Sequence, residues 1–166
     1  MAMTTPVSFS PAQRLLHWAI VLLIFYNLIF SDGIEEWKRA MRRTGAATAE
    51  QVSAANIHAY VGIVILVLAA LQLLLRFTSG RPATPPEEPI LFQWASKAAH
   101  ALLYLLLLAM PLTGIASYYL GIGEAGDIHA DVLKVVLWVV IAGHIIGAFV
   151  HQFYWKTNVL RRMTLG

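Results

Sequence analysis

Six histidines are the residues of this 166-residue chain that are best placed to do chemistry. Five lie inside long stretches that contain no Asp, Glu, Lys or Arg, and the sixth comes just before the last stretch; they are His17, His58, His100, His144 and His151, with His129 preceding. Histidine at membrane depth is expensive and is a functional candidate by default. Any one of them could instead bond a neighbouring helix, but that reading explains the whole set poorly.

The uncharged stretches that carry the histidines are long enough to cross a bilayer, which takes roughly 20 residues. Only 13% of the chain is charged and 58% is hydrophobic, with a mean hydropathy of +0.66. Without water in the lipid core, each stretch must be helical to satisfy its own backbone. The sequence therefore predicts an all-α membrane protein, a four-transmembrane-helix bundle forming one domain over residues 1–166. The stretches are 15–31, 51–75, 98–123 and 135–155.

Local signals set the expected helix boundaries. Ser10 with Gln13 and Thr48 with Gln51 form capping boxes, so the first two spans begin there and end near residues 30 and 77. A proline-rich connector precedes the third span, which should run from about residue 89 to 120 with a kink at Pro111. We expect a loop over residues 121–126, with Asp127 as the N-cap of the fourth span, which ends near residue 155.

Residues 33–43 predict a short amphipathic helix on the outer membrane surface. Its apolar positions are Ile34, Trp37 and Met41, and its basic positions are Lys38, Arg39, Arg42 and Arg43. A solvated charged loop is the alternative.

The distribution of charge between the loops predicts the topology. The side with both termini carries seven Lys and Arg against Glu87 and Glu88, whereas the other side carries five against seven acids. This bias places both termini in the cytoplasm. It also explains the basic pI without nucleic acid binding.

Counting depth along the spans groups four histidines into two pairs. His17 and His144 lie at similar depth in the inner half, and His58 and His129 lie near the outer side. His129 and His144 are fifteen residues apart, which is about 22 Å of rise and about 60° of rotation in an α-helix. Both can therefore face the bundle interior, one above the other.

Two imidazoles from facing helices suit the axial positions of a haem iron in a bundle core. Zinc fits less well because it needs four clustered ligands, and the absence of cysteine excludes thiolate-held clusters and Cys-attached haem. Gly62 follows His58 by one turn, and Gly143 and Gly147 flank His144, which leaves room for a flat macrocycle. Close helix packing is an equally ordinary use of these glycines.

The remaining polar candidates lie in the inner half. Arg14 could meet a haem propionate or serve as a positive-inside anchor. His100 and His151, near Lys97 and Trp155, could form a polar rim for a substrate arriving from the membrane. Histidines that reach the membrane surface are the alternative.

Together these residues make the chain similar to the bacterial cytochrome b561 family of di-haem membrane cytochromes over nearly its full length. The matching pieces are Arg14-Leu-Leu-His17-Trp18, Asn56-Ile-His58 with Gly62, the run ending at Arg76, the Pro-Pro connector, His100 with Tyr104 and Pro111, Gly143-His144, His151, and Tyr154-Trp155-Lys156-Thr-Asn158.

The resemblance implies two b haems, the inner one held by His17 and His144 and the outer one by His58 and His129. The two ligands in the last span are usually one residue closer together in the family. His129 therefore requires a local bulge or a shifted helix start.

The resemblance also implies electron transfer across a bacterial inner membrane to ubiquinone, at a cytoplasmic-side site that includes His100 and His151 and that we extend to Lys97 and Trp155. Some family members take their electrons from superoxide outside, and the basic residues of 33–43 would attract such an anion. One alternative is a membrane anchor that carries electrons for a partner dehydrogenase or hydrogenase. Another is a transporter with a histidine proton relay.

Overall fold

The computed structural model describes residues 8–85 and 88–165. Pro86 and Glu87, which belong to the predicted connector and to the inner-side charge count, and Gly166 lie outside the described residues. Within the described residues the chain forms helices and no strand. These helices are α1 (Pro11–Ile29), α2 (Asp32–Thr44), α3 (Ala49–Thr78), α4 (Ile90–Leu120), α5 (Gly123–Tyr154) and α6 (Val159–Thr164).

Four helices, α1, α3, α4 and α5, are long and apolar enough to span a membrane, which confirms the predicted class. Both capping boxes are formed. The Ser10 hydroxyl accepts from the Gln13 backbone N–H at 3.2 Å, and the Gln13 side chain accepts from the Ser10 N–H at 3.0 Å. Thr48 and Gln51 repeat this arrangement at the start of α3. These caps fix where the first two spans begin.

Close packing joins α1 to α3, α3 to α4, and α4 to α5. Each span contributes to a small core, with Ile20, Ile65, Leu106 and Leu137 all at most 5% exposed. Side chains such as Leu22, which is 70% exposed, face outward, as a surface bathed in lipid tails allows. Over the described residues, the backbone of α5 packs much less closely on α1 and α3 than on α4.

The surface helix predicted over residues 33–43 is present as α2 and packs on α3. A Cβ on Gly33 would lie 2.5 Å from Ala54 Cβ, so only glycine lets the two helices approach this closely. The Trp37 ring meets the Tyr118 ring of α4 at a centroid distance of 4.7 Å. Helix α2 therefore lies over the end of the bundle that the sequence predicts to face outward.

The start of the fourth span was predicted wrongly. Gly121, with a φ of 70°, ends α4, and α5 begins at Gly123, so most of the predicted loop is helical and Asp127 is not an N-cap. The Asp127 carboxylate instead accepts from Lys38 Nζ at 3.1 Å and Arg42 Nη2 at 2.9 Å. A local sequence signal cannot predict these contacts with α2, because they join segments that are far apart in the chain. The helix α6 was not predicted.

Candidate functional site

Two histidine pairs lie at different levels along α5. The rings of His17 and His144 have centroids 6.3 Å apart, joining α1 to α5. The rings of His58 and His129 also have centroids 6.3 Å apart, joining α3 to α5. The structure therefore brings together the inner pair and the outer pair that depth counting predicted.

The separation of the rings fits an iron atom between them. Metal–imidazole bonds of about 2 Å, with about 1 Å from ring nitrogen to ring centre, leave the centroids about 6 Å apart. Each pair joins α5 to a helix, α1 or α3, against which the backbone of α5 does not pack closely. A flat group between the helices needs this space. A Cβ on Gly143 or Gly147 would meet nothing within 4 Å, so no described residue fills the space beside these two glycines. The residues present thus fit haem.

The ring of His129 is oriented by α4. Its Nδ1 lies 2.8 Å from the Met110 carbonyl oxygen and 3.3 Å from the Thr113 hydroxyl. The Thr113 hydroxyl itself donates to the Ala109 and Met110 carbonyls, so both contacts make Nδ1 the protonated nitrogen. A proton on Nδ1 leaves Nε2 free for a metal, the usual arrangement for a ligating histidine.

Two local features let His129 adopt this position. Residues Ile128–Leu133 form a π-helical turn, which inserts one extra residue into α5 between the histidine levels. This is the bulge that the fifteen-residue spacing to His144 required. On the facing helix, a Cβ at Gly114 would lie 3.3 Å from the His129 ring, so glycine allows α4 to approach.

A cavity of about 180 Å³ surrounds the outer pair and is lined by both of its rings. Lys38 and Glu35 of α2 and Lys134 of α5 lie at its border. Lys134 Nζ is 3.4 Å from Glu35 Oε1, so this border is held by ion pairs between α2 and α5.

The four predicted anion-attracting residues of α2 divide into two kinds. Lys38 and Arg42 are paired with Asp127, whereas Arg39 and Arg43 are exposed and form no ion pair with the described residues. The paired residues hold α2 over the cavity. Arg39 and Arg43 carry the uncompensated positive charge that an approaching anion would meet.

A third histidine stands beside the inner pair. The centroid of the His100 ring is 5.1 Å from that of His144, and the rings meet edge to face. Its Nδ1 donates to the Ser96 carbonyl at 2.6 Å. The described residues contain no group of three or more His, Cys, Asp or Glu that could hold a metal.

His151 is buried in a polar network at the inner end of α5. Its Nδ1 lies 3.0 Å from the Thr157 hydroxyl, and its Nε2 lies 3.1 Å from Glu88 Oε1. The Thr157 hydroxyl donates to the His151 carbonyl and so accepts from Nδ1–H. One proton must then lie between Nε2 and the carboxyl group, as an imidazolium–carboxylate pair or as its neutral form.

The backbone around Thr157 is shaped for this contact. Lys156 and Asn158 both have positive φ, at 53° and 56°, which non-glycine residues rarely adopt. Left-handed residues on both sides turn Thr157 back toward the end of α5, where its N–H donates to the His151 carbonyl at 3.0 Å. Such backbone strain persists where surrounding contacts require it.

The other predicted inner residues lie around the same end of α4. The Trp155 ring contacts the rings of His151 and Phe92, with centroids 4.8 and 5.1 Å away. Lys97 Nζ lies 4.7 Å from the centre of the Trp94 ring. Arg14, predicted to meet a propionate, donates to the Thr164 carbonyl at 3.1 Å and anchors α6 to α1.

Sequence reasoning missed several residues of these sites. Glu88 was counted only as an inner-side acid, although a carboxylate between proline-rich segments and an apolar span is a weak signal of a buried partner. Thr113 is a polar residue inside an uncharged span, and this position could have marked it as a candidate. Thr157 bonds His151, six residues earlier, through a turn of left-handed residues, and this turn has no simple sequence signal.

The sequence profile of the family described as prokaryotic cytochrome b561 matches residues 8–166. The chain belongs to this family. Similar proteins include cytochrome b562 of Cereibacter sphaeroides, 29% identical over 97% of this chain and 98% of the relative. A probable superoxide oxidase CybB of Yersinia pestis is 27% identical over 93% of this chain and 94% of the relative. Cytochrome b561 homolog 1 of Escherichia coli is also 27% identical, over 93% and 96%.

Family membership and the four apolar helices make this a multi-pass protein of the bacterial inner membrane. A cytochrome b of this family carries haem b and serves electron transfer. The resemblance drawn from the sequence is thereby confirmed.

Proposed function

We propose that the chain holds two b haems and transfers electrons from the outer to the inner side of the membrane, to ubiquinone. The observation that carries this proposal is the repetition of one histidine pair, with the same centroid separation, at two levels of α5. Two such levels within one bundle suit stepwise electron transfer between two carriers.

Each histidine has a distinct part in the proposal. His17 and His144 hold the inner haem, and His58 and His129 hold the outer one. A bound haem b supplies a one-electron carrier. The chain supplies orientation, through the Met110 carbonyl at His129, and an apolar surrounding that keeps water away.

A quinone site at the inner end of α4 is supported by the polar residues collected there. Reducing a quinone consumes two electrons and two protons, and histidine exchanges protons near neutral pH. His100 lies beside the inner pair, and His151 shares a proton with Glu88. Because His151 is bonded at both nitrogens, a quinone oxygen reaches it only by replacing Thr157 or Glu88. Trp155 and Lys97 complete this rim.

Superoxide is the donor that the outer side favours. The exposed Arg39 and Arg43 lie on a helix that covers the outer cavity, where positive charge raises the rate of encounter with an anion. The Yersinia pestis relative, named a probable superoxide oxidase, supports this choice. The alternative is an electron carrier for a partner dehydrogenase, and quinone reduction by the isolated chain with and without a superoxide source separates the two.

The test of the haem proposal is the pairing of the histidines. We expect the purified protein to contain two haems, and His17→Ala and His144→Ala to lose the same one. His58→Ala should lose the other, because each change removes one of two axial bonds. Haem content and reduced-minus-oxidised spectra measure this. Identical spectra for His17→Ala and His58→Ala would disprove the pairing, and a protein that binds no haem would favour the transporter alternative.

A further inference from the structure

The side chain of Asn27 in α1 is bonded at one end only. Its Nδ2 donates to the His58 carbonyl oxygen at 3.1 Å. A carbonyl accepts only from the NH₂ group, so this bond identifies which end of the amide is nitrogen. The other end, Oδ1, is buried and has no hydrogen-bond partner among the described residues.

The ring of His58 also has a nitrogen atom without a hydrogen-bond partner. Its Nδ1 is also buried without a partner in the described part of the chain. Buried polar atoms are nearly always hydrogen-bonded. Two unpaired atoms on residues that already contact each other therefore require an explanation. The two side chains line the same cavity.

Asn27 Oδ1 and His58 Nδ1 become a matching acceptor and donor once His58 binds a metal. Ligation through Nε2 places the ring proton on Nδ1, which must then donate. An amide oxygen is an acceptor. In the same pair, the Nδ1 of His129 already has the Met110 carbonyl.

We propose that Asn27 Oδ1 accepts the Nδ1–H of His58, directly or through one buried water, and so sets the reduction potential of the outer haem. This inference rests on the proposed function, in which His58 and His129 hold that haem. Asn27 is a positioning residue, because it acts on the metal only through His58. A stronger acceptor at Nδ1 makes the imidazole more basic and favours the oxidised iron.

The test is potentiometric titration of the purified protein, with the two haems followed separately in the visible spectrum. Asn27→Asp offers a stronger acceptor and should lower the midpoint of the outer haem. We expect at least about a tenfold change in its reduced-to-oxidised ratio at a fixed potential, equivalent to about 59 mV for one electron. Asn27→Leu removes the acceptor and should shift the same midpoint upward.

The matched control is Gln72→Leu, which removes another buried amide of the bundle whose oxygen also lacks a partner. It should leave the outer midpoint unchanged. If Asn27→Leu fails to fold, Asn27→Ala, which also lacks the acceptor and adds no charge, takes its place and should raise the same midpoint.

Three outcomes would overturn the inference. Unchanged midpoints in a protein that binds two haems would reject the role of Asn27 and leave the proposed function standing. A shift confined to the haem that His17→Ala removes would do the same. A wild-type protein with fewer than two haems would reject the proposed function, and the role of Asn27 with it.

Discussion

The pair of Glu88 and His151 provides the sharpest test of how the inner end of the bundle is held together. Their side chains are only 2% and 11% exposed, so the pair is largely shielded from solvent. We expect Glu88→Ala to lower the free energy of unfolding substantially, because removing one partner of a buried pair strands the other. The control Asp127→Asn removes the carboxylate charge from two more exposed pairs, in which Asp127 is 53% exposed and its partners Lys38 and Arg42 are 32% and 62% exposed.

The size of the effect follows from what His151 can do when Glu88 is absent. Losing one partner of a buried pair costs about 3–5 kcal/mol. His151 can release its proton and keep its bond to Thr157, which leaves one unpaired ring nitrogen rather than a buried charge. The lower end, about 3 kcal/mol, therefore applies, a factor of roughly 150 in the folding equilibrium.

Unfolding in mixed detergent, followed by tryptophan fluorescence, measures this difference. The probe is well placed because the Trp155 ring contacts His151. Glu88→Gln, which keeps a hydrogen-bonding side chain, should lose less than Glu88→Ala. An effect of Glu88→Ala no larger than that of Asp127→Asn would refute the reasoning. It would mean that the buried pair contributes no more than an exposed one.

Two further predictions follow from the proposed topology and quinone site. Reporter fusions at Ala47 and at Gly166 should respond oppositely, because the first is expected outside and the second in the cytoplasm; agreement between them would contradict the four-span topology. His100→Ala and His151→Ala should keep both haems reducible yet slow quinone reduction by at least about tenfold, since each removes a proton-transferring group. Stopped-flow reoxidation of chemically reduced protein measures the rate; normal reoxidation in both variants would end the quinone-site proposal, and loss of a haem in either would show that the ligands are misassigned.

Composition and periodicity were enough to predict the architecture. Uncharged stretches of sufficient length can only be helices in lipid, and the capping boxes at Ser10 and Thr48 mark helix starts through contacts within four residues. The amphipathic helix α2 could also be predicted, because the pattern of apolar and basic residues that marks it lies within a short stretch of sequence. Even the pairing of His17 with His144 followed from depth, because helical rise converts sequence position into height.

The tertiary structure decided everything that depends on contacts between helices. Asp127 is not a cap because α2 brings Lys38 and Arg42 to its carboxylate. The π-helical turn that accommodates His129 occurs where α4 offers the Met110 carbonyl and the space beside Gly114. Hydrogen bonds and close approaches between distant segments have no periodic signature, so a single sequence predicts the height of a histidine in the membrane but not the partner that orients its ring.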